Sequence, residues 1–412
     1  MFGLTEINYA LKRIYPKYPP EKIGIWKHKF LANTTKDDSW VGEENFKQGV
    51  EYGNPQGIGG NFAKAQAAAL VSSTMGAFFD VPRRWKNGIA IISGRAIVAT
   101  GNNEGAFFKA VKRETDNGIR AYNDRLSVEA INGDGNGWIA RVQGIAGSVV
   151  TLGTVATGVQ RWMTTRIKEG MTLNSSTTGL LGGITAFNAR VLKVNYGTGK
   201  ITLDGVVALS ADDYLAPAGD FEEGGLHGVN SWIPLADPAD GVTYFGVDRA
   251  INYALLSGHR LPATEASNSI KDNALNLAAE METTGSLDDT GEKDGYLHPL
   301  NWNRLQKDLD AQIKRDVRDG TFGFNYFTQE SAAGTIKWYS EPDWPADRGH
   351  ILTRSAWVIR HAQGFPHLND DDGNSALRSP TADSVEVRLR SAGNLFCLAP
   401  GANGVFPITP PA

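Results

Sequence analysis

Residues 102–132 carry the longest coherent apolar pattern in the chain. Phe107, Val111, Gly118, Tyr122, Leu126 and Ala130 fall at steps of four and seven, which predicts one amphipathic helix of about seven turns. Asn102 or Asn103 supplies its N-cap, and Glu104 and Glu114 in its N-terminal half suit the macrodipole. A glycine-rich turn, Asn132-Gly-Asp-Gly-Asn-Gly137, ends the helix, and Trp138 to Val142 begin a strand. Upstream, residues 78–100 are rich in Phe, Val, Ile and Trp, with turn signals at Pro82 and at Asn87-Gly88. They read as paired strands, a basic hairpin running into the helix. A two-stranded ribbon cannot bury a core by itself. Its apolar and basic side chains therefore need a neighbouring molecule, which points to an assembly protein before an enzyme.

The rest of the chain divides by texture. Residues 1–60 read as an N-terminal arm: Leu4, Ile7, Leu11 and Ile14 start amphipathically, then Pro16, Pro19 and Pro20 break the periodicity. Gly53 to Gly60 is a loop, and Asn61 to about Ser72 a short Ala-rich helix, so 61–101 forms the hairpin region and 102–143 the long helix with its following strand. Residues 144–233 are β-rich and punctuated by glycine pairs. There Val191 to Leu203 alternates around Tyr196-Gly-Thr-Gly199 as a hairpin, and Trp162, Ile167, Met171, Leu173 and Leu215 fill a small barrel or sandwich. From 234 to 406 the pattern is α+β. A helix is expected over Glu265–Thr283, capped by Ser267 or Thr264, with Ile270, Ala274, Leu277, Ala278 and Met281 on one face. A second is expected over Asn301–Arg315, with strands at Thr335–Tyr339, Gly349–Ile359 and Val385–Leu398. Residues 407–412 form a Pro-rich tail, and no internal repeat is visible.

Composition narrows the classes. The chain of 412 residues suits several domains, and its net charge of −4 argues against a dedicated nucleic-acid binder. The one cysteine, Cys397, sits in Leu-Phe-Cys-Leu and reads as a buried structural thiol, with no disulfide framework. Neither a secretory leader nor an apolar run long enough to span a membrane is present, so synthesis and assembly in a cytoplasm are expected.

Little in the motifs suggests catalysis. Asn132-x-Asp134-x-Asn136-Gly137 imitates half a calcium loop, but Gln143 stands where a bidentate Glu belongs, so it reads as a turn. Gly197-Thr-Gly-Lys200 lacks the glycine spacing of a phosphate loop and reads as a hairpin turn. His361 and His367 flank Asp370-Asp-Asp372 across Gly364 and Pro366, which fixes no common metal-binding face. No catalytic residue, cofactor site or metal site is expected, and the chain is not read as an enzyme. Arg83, Arg84, Trp85, Lys86 and Arg95 stand out instead, because they lie on a hairpin that needs a partner. With Lys12, Arg13 and Trp26 of the arm they are the candidate intersubunit contacts. From Leu11 to Phe30 six Lys or Arg face one Glu, a charge excess suited to an acidic partner.

The order of parts resembles the Hong Kong 97-type major capsid proteins of tailed bacteriophages. The resemblance is carried by Phe79-Asp-Val-Pro-Arg-Arg-Trp85 with Ile89–Thr100, and by Asn103-Glu-Gly-Ala-Phe107. It continues in Gly246-Val-Asp-Arg249, Leu256-Ser-Gly258, Leu297-His-Pro-Leu-Asn-Trp302, and Asn394-Leu395 with Ala399-Pro-Gly-Ala-Asn-Gly404. It implies an α+β capsid fold with N-arm (1–60), E-loop region (61–101), long spine helix in a peripheral domain (102–143), inserted β-domain (144–233), axial domain with return strands (234–406) and tail (407–412). It further implies a homo-oligomer of hexamers and pentamers forming the icosahedral head around double-stranded DNA. In that reading DNA is contacted weakly, portal and scaffolding proteins are partners, a decoration protein is left open, and the location is the virion, assembled in the host cytoplasm. Some members cross-link an E-loop lysine, and Lys86 lies near the expected tip, but its partners cannot be assigned. The rival readings are an encapsulin-like nanocompartment shell and a β-rich carbohydrate-binding or carbohydrate-active protein.

Overall fold

The computed structural model describes residues 28–40, 42, 44–94, 104–179, 184–206, 208–283, 291–310, 326–368, 377–379 and 383–409. They form two compact units, each assembled from three stretches of chain. The first draws on 1–41, 84–227 and 359–394, the second on 42–83, 228–358 and 395–412.

In the first unit the long helix spans Glu104–Asn132. Tyr122, Leu126 and Ala130 of its expected apolar stripe are buried, and so is Ile119, which the stripe did not include. It lies on a sheet in which Arg84–Ser93 pairs antiparallel with Ser384–Cys397, from Arg84↔Gly393 to Ser93↔Ser384. Short strands Trp357–His361, Thr35–Asp37, His367–Leu368 and Leu377–Arg378 continue that sheet beyond Ser384–Cys397. The expected hairpin over 78–100 therefore does not form, and Asn87-Gly88 is not a turn. Gly88 sits mid-strand because the Tyr122 ring packs on its backbone; a Cβ there would come 2.5 Å from the ring. Tyr122 Oη donates to Lys86 O or Ser391 Oγ, each at 2.8 Å. A glycine needed for close approach carries the same sequence signal as one needed for a turn.

After the helix the turn at 132–137 is hydrogen-bonded by its own side chains. Asp134 accepts from Asn136 N at 3.0 Å and from Trp138 Nε1 at 2.5 Å, while Gly135 and Gly137 take positive φ. The β-rich region then closes on itself. Ala140–Ala146, Val149–Thr154, Lys200–Leu203, Ile184–Asn195, Thr172–Ser176 and Tyr214–Pro217 pair in a ring, each antiparallel to the next, and Tyr214–Pro217 returns to Ala140–Ala146. The result is a barrel filled by Val142, Val150, Leu152, Ile167, Leu173, Val191, Ile201 and Leu215. The expected hairpin over Val191–Leu203 forms, and Asn195 Oδ1 accepts from Gly197 N and Thr198 N at its turn. The barrel begins at Ala140, so the strand assigned to the peripheral domain is a barrel strand. It ends at Pro217, and Trp232 belongs to the other unit's core, edge-on to Phe79 and Tyr244.

The second unit is built on a mixed sheet in the order His259–Arg260, Gly404–Pro407, Arg348–Thr353, Lys293–Leu297, Gly334–Ser340, Tyr326–Ser331. Helices Ile270–Thr283 and Pro299–Asp310 cover it, burying Leu277, Met281, Leu305, Trp338, Ile351 and Phe406 in one core. Gly404 lets Leu277 approach the sheet, since a Cβ would meet that side chain at 2.9 Å. The first helix starts later than its expected Glu265. Its cap is Ser269, whose Oγ accepts from Asp272 N, and not Ser267 or Thr264. The expected strand Gly349–Ile359 is two strands, Arg348–Thr353 and Trp357–His361, separated by a 3-10 turn over Arg354–Ala356 and belonging to different sheets. Asn403, fully buried, fastens the last turn: its Oδ1 accepts from Thr353 N and Trp357 Nε1, both at 2.9 Å. Cys397 is fully buried and its thiol pKa is pushed up by desolvation.

Candidate functional site

A two-stranded ribbon does exist, but from other strands than expected. Asn45–Gly53 pairs with Met75–Pro82, from Asn45↔Pro82 to Gly53↔Met75. Part of the expected arm is thus one side of the ribbon, and Arg84 onward belongs to the helix-covered sheet. At the ribbon's base Phe79 and Val81 are buried, with Phe79 5.2 Å from the Trp232 ring. Beyond them no residue of Asn45–Gly53 or Met75–Phe78 is buried.

Between the strands, residues 54–74 fold on themselves. Asn61 Oδ1 caps helix Phe62–Val71 by accepting from Lys64 N, and Gln56 N donates to Ser72 Oγ. None of this helix is buried. Ile58, Phe62, Leu70 and Val71 each have more than four fifths of their surface in solvent. Phe78 is also largely exposed. Single apolar side chains are ordinary on a surface, whereas several so exposed within one short folded segment are not. The sequence reading passed over these residues because they lie in a Gly- and Ala-rich stretch. The available signal was large apolar residues at both ends of a helix lacking an apolar face.

The strand Arg84–Ser93 alternates strictly. Ala90 and Ile92 face the helix and are buried, while Trp85, Ile89 and Ile91 face out and are exposed. Among the described residues this strand pairs with Ser384–Cys397 alone. Its outward row lies beside Ala392, Arg388 and Glu386 of that neighbour. Arg390 stands over the Trp85 ring at 5.8 Å, and Arg388 donates to Glu386 at 3.0 Å. This is an apolar row bordered by charge, on a sheet edge.

Of the expected contact residues, Trp85 is exposed and suits such a role. Lys86 is not at a loop tip. Its side chain is 12% exposed, with Nζ 2.6 Å from Glu129 Oε1 and 2.5 Å from Asp220 Oδ1. Arg125 completes the cluster, with Nε 2.9 Å from Glu129 Oε1 and Nη2 2.5 Å from Asp220 Oδ2. Arg125 Nη2 also donates to Gly137 O at 2.7 Å, and Glu129 Oε2 accepts from Leu226 N. Two cations and two carboxylates neutralise one another here, so Lys86 is spent inside its own chain and does not face a neighbouring subunit as expected. Sequence separation hid this cluster: Lys86 and Asp220 are 134 residues apart.

Arg84 is half-buried against the segment leaving the barrel, where a side chain at Gly224 would strike its guanidinium. Desolvation lowers its pKa, and the same burial, with Arg84 nearby, pushes His227 down to about 3. Arg83, in the other unit, is partly exposed and its N donates to Glu44 O. Lys12, Arg13, Trp26 and Arg95 lie outside the described residues, as do the caps Asn102 and Asn103 and the run Asp370–Asp372. His361 Nδ1 accepts from Gly364 N within its own turn. Among the described residues no helix is long and apolar enough to cross a membrane.

No protein-family model matches the sequence, and no curated protein matches it. Among solved structures the chain is similar to the capsid asymmetric unit of cyanophage A-1(L), at 13% identity and a TM-score of 0.48, covering 93% of both chains. It is also similar to the capsid of the native GTA particle, at 11% identity and a TM-score of 0.44, covering 93% of this chain and 90% of that one. A third similarity is to a virus-like particle from Pyrococcus furiosus, at 9% identity and a TM-score of 0.37, covering 94% and 95%.

Proposed function

We propose that this chain is a shell-forming subunit, the major capsid protein of a tailed-bacteriophage head, acting by self-association and not by catalysis. One observation carries the reading: the ribbon is anchored by Phe79 and Val81 yet ends in a folded tip whose Ile58, Phe62, Leu70 and Val71 nothing in its own unit buries. A soluble monomer gains nothing from ordering such a tip, because fixing each residue costs about 1–2 kcal/mol of backbone entropy. A second copy that covers it regains roughly 25 cal/mol for each Å² of apolar surface removed from water. The Trp85, Ile89 and Ile91 row is a matching apolar surface for a neighbouring copy to meet. The order of ribbon, long helix, β insertion and mixed α/β unit resembles the N-arm, E-loop, spine, insertion and axial domain of the Hong Kong 97-type subunits, and supports closed shells of hexamers and pentamers around DNA.

The test replaces residues 54–74 by an Asn-Gly turn joining Gly53 to Met75, which leaves the paired strands and the buried base intact. Electron microscopy of the full chain is expected to show closed shells with fivefold and sixfold clusters. The shortened chain is expected to stay folded by circular dichroism but to form no shells. Normal shells from the shortened chain would overturn the role given to the tip, and an intact chain that remains monomeric would overturn the shell reading itself.

A further inference from the structure

The barrel differs in charge from the chain that carries it. Residues 140–217 hold seven Lys or Arg and four Asp or Glu, a net +3, so against −4 for the whole chain the remainder carries −7. The barrel's acidic groups are largely engaged within it. Asp213 is buried and accepts from Ser210 N, Asp212 pairs with Arg141 at 3.5 Å, and Asp204 accepts from Arg190 N. Its basic groups are turned outward: Arg161, Lys168, Arg190, Lys193 and Lys200 are all exposed.

Strand register gathers two of them, and a third lies beside their hairpin. Lys193 lies opposite Thr202, and Lys200 lies opposite both Asn195 and Thr151. Their inward neighbours Val194 and Ile201 are buried in the barrel core, so both lysines share the outer face of adjacent strands. Arg161 adjoins the same hairpin, since a Cβ on Gly199 would lie 3.5 Å from its side chain. Tyr196, half exposed, stands at the hairpin tip. Among the described residues neither Lys193 nor Lys200 has a carboxylate within salt-bridge distance.

We propose that this face of the barrel, centred on Lys193 and Lys200 with Arg161 and Tyr196, docks on an acidic surface of a second copy of the chain. The occupant is argued from charge: in an assembly of identical subunits every +3 barrel meets chains whose remaining residues sum to −7, and such complementarity steers and registers association. A nucleic acid fits the observations less well, because one tyrosine is not a stacking platform and three cations make few phosphate contacts. The inference rests on the shell reading for its setting, but it names a contact that the ribbon does not make.

Carbodiimide coupling on an equal mixture of 15N-labelled and unlabelled full-length chain tests it, because that reagent joins an amine to a carboxylate already touching it. Mass spectrometry is expected to find mixed-isotope cross-links from Lys193 or Lys200 to Asp or Glu outside 140–217. The K193E/K200E chain should keep its wild-type melting temperature while its association weakens at least tenfold at 100 mM salt, and the wild type should approach it as salt rises. Mixed cross-links without shells would uphold this contact and sink the shell reading. Shells without such cross-links would uphold the shell reading and overturn this contact. Loss of duplex-DNA retention in K193E/K200E, with assembly unchanged, would assign the face to nucleic acid and overturn the proposal as well.

Discussion

The barrel and the ribbon are both built from antiparallel strands, yet one satisfies itself and the other does not. In the barrel the last strand, Tyr214–Pro217, returns to pair with the first, Ala140–Ala146, so the ring leaves no open edge and encloses its apolar side chains. In the ribbon, among the described residues, the two strands pair with no other strand, and beyond the base at Phe79 and Val81 none of their side chains is buried. Strand chemistry is similar in the two. Closure makes the difference, because only a closed sheet buries one whole face without a second layer. A barrel is thus a self-sufficient part, and a ribbon leaves apolar side chains uncovered by its own chain.

The sharpest way to strain that comparison is to loosen the barrel's mooring. Arg125 holds Gly137 O, just before the first barrel strand, and Asp220, just after the last. Glu129→Gln leaves Lys86 and Arg125 buried with a single carboxylate between them. It is expected to lower unfolding free energy by about 3–5 kcal/mol in denaturant titration, as removal of one member of a buried charge cluster does. Glu129→Gln should therefore harm the monomer more than any single change at the ribbon tip.

Next comes the barrel's interior. Leu215→Ala empties a fully buried site and is expected to cost about 2–5 kcal/mol, read from the shift in denaturant midpoint. A cost near zero would mean that the barrel is not packed as a core.

Acid should act on both units without favouring the ribbon. His227 and His350 are buried and held neutral, each with its pKa pushed down to about 3 by desolvation. Their unfolded pKa is near 6.5, so below that pH the unfolded chain binds protons that the folded chain refuses. Their contribution is full above pH 6.5 and is lost as pH falls toward 3, at up to about 1.4 kcal/mol per pH unit for each histidine. Stability curves at pH 7, 6 and 5 should decline in that order, and less steeply for His350→Asn.

The smallest effect on stability is expected where the largest effect on assembly lies. Leu70→Ala at the ribbon tip should change monomer unfolding by no more than about 0.5 kcal/mol. Leu70→Glu should leave the fold equally intact while suppressing shell formation in light scattering. If Leu70→Ala destabilises the monomer like a core mutant, the tip is buried in its own chain and does not differ from the barrel.

How much of this was legible depended on the range of the interaction. The long helix, the Val191–Leu203 hairpin and the apolar face of Ile270–Thr283 follow from residues three, four or ten positions apart. Spacing was enough to find them. The ribbon was misassigned because the partner of Met75–Pro82 is the earlier strand Asn45–Gly53, while Asn87-Gly88 signalled a turn inside what is one strand, Arg84–Ser93. Alternation along Arg84–Ser93 was visible, but which face would be covered was not.

The sequence by itself determined the local elements, the turns at 132–137 and 196–199 and the buried character of Cys397. Those depend on backbone propensity and short-range periodicity, which each segment carries with it. Only the tertiary structure decided strand partners, closure of the barrel, the fate of Lys86 and the row left open at Trp85, Ile89 and Ile91. The reason is physical: a lysine's burial depends on carboxylates 43 and 134 residues away, and an edge is an edge only once every other strand has found its neighbour.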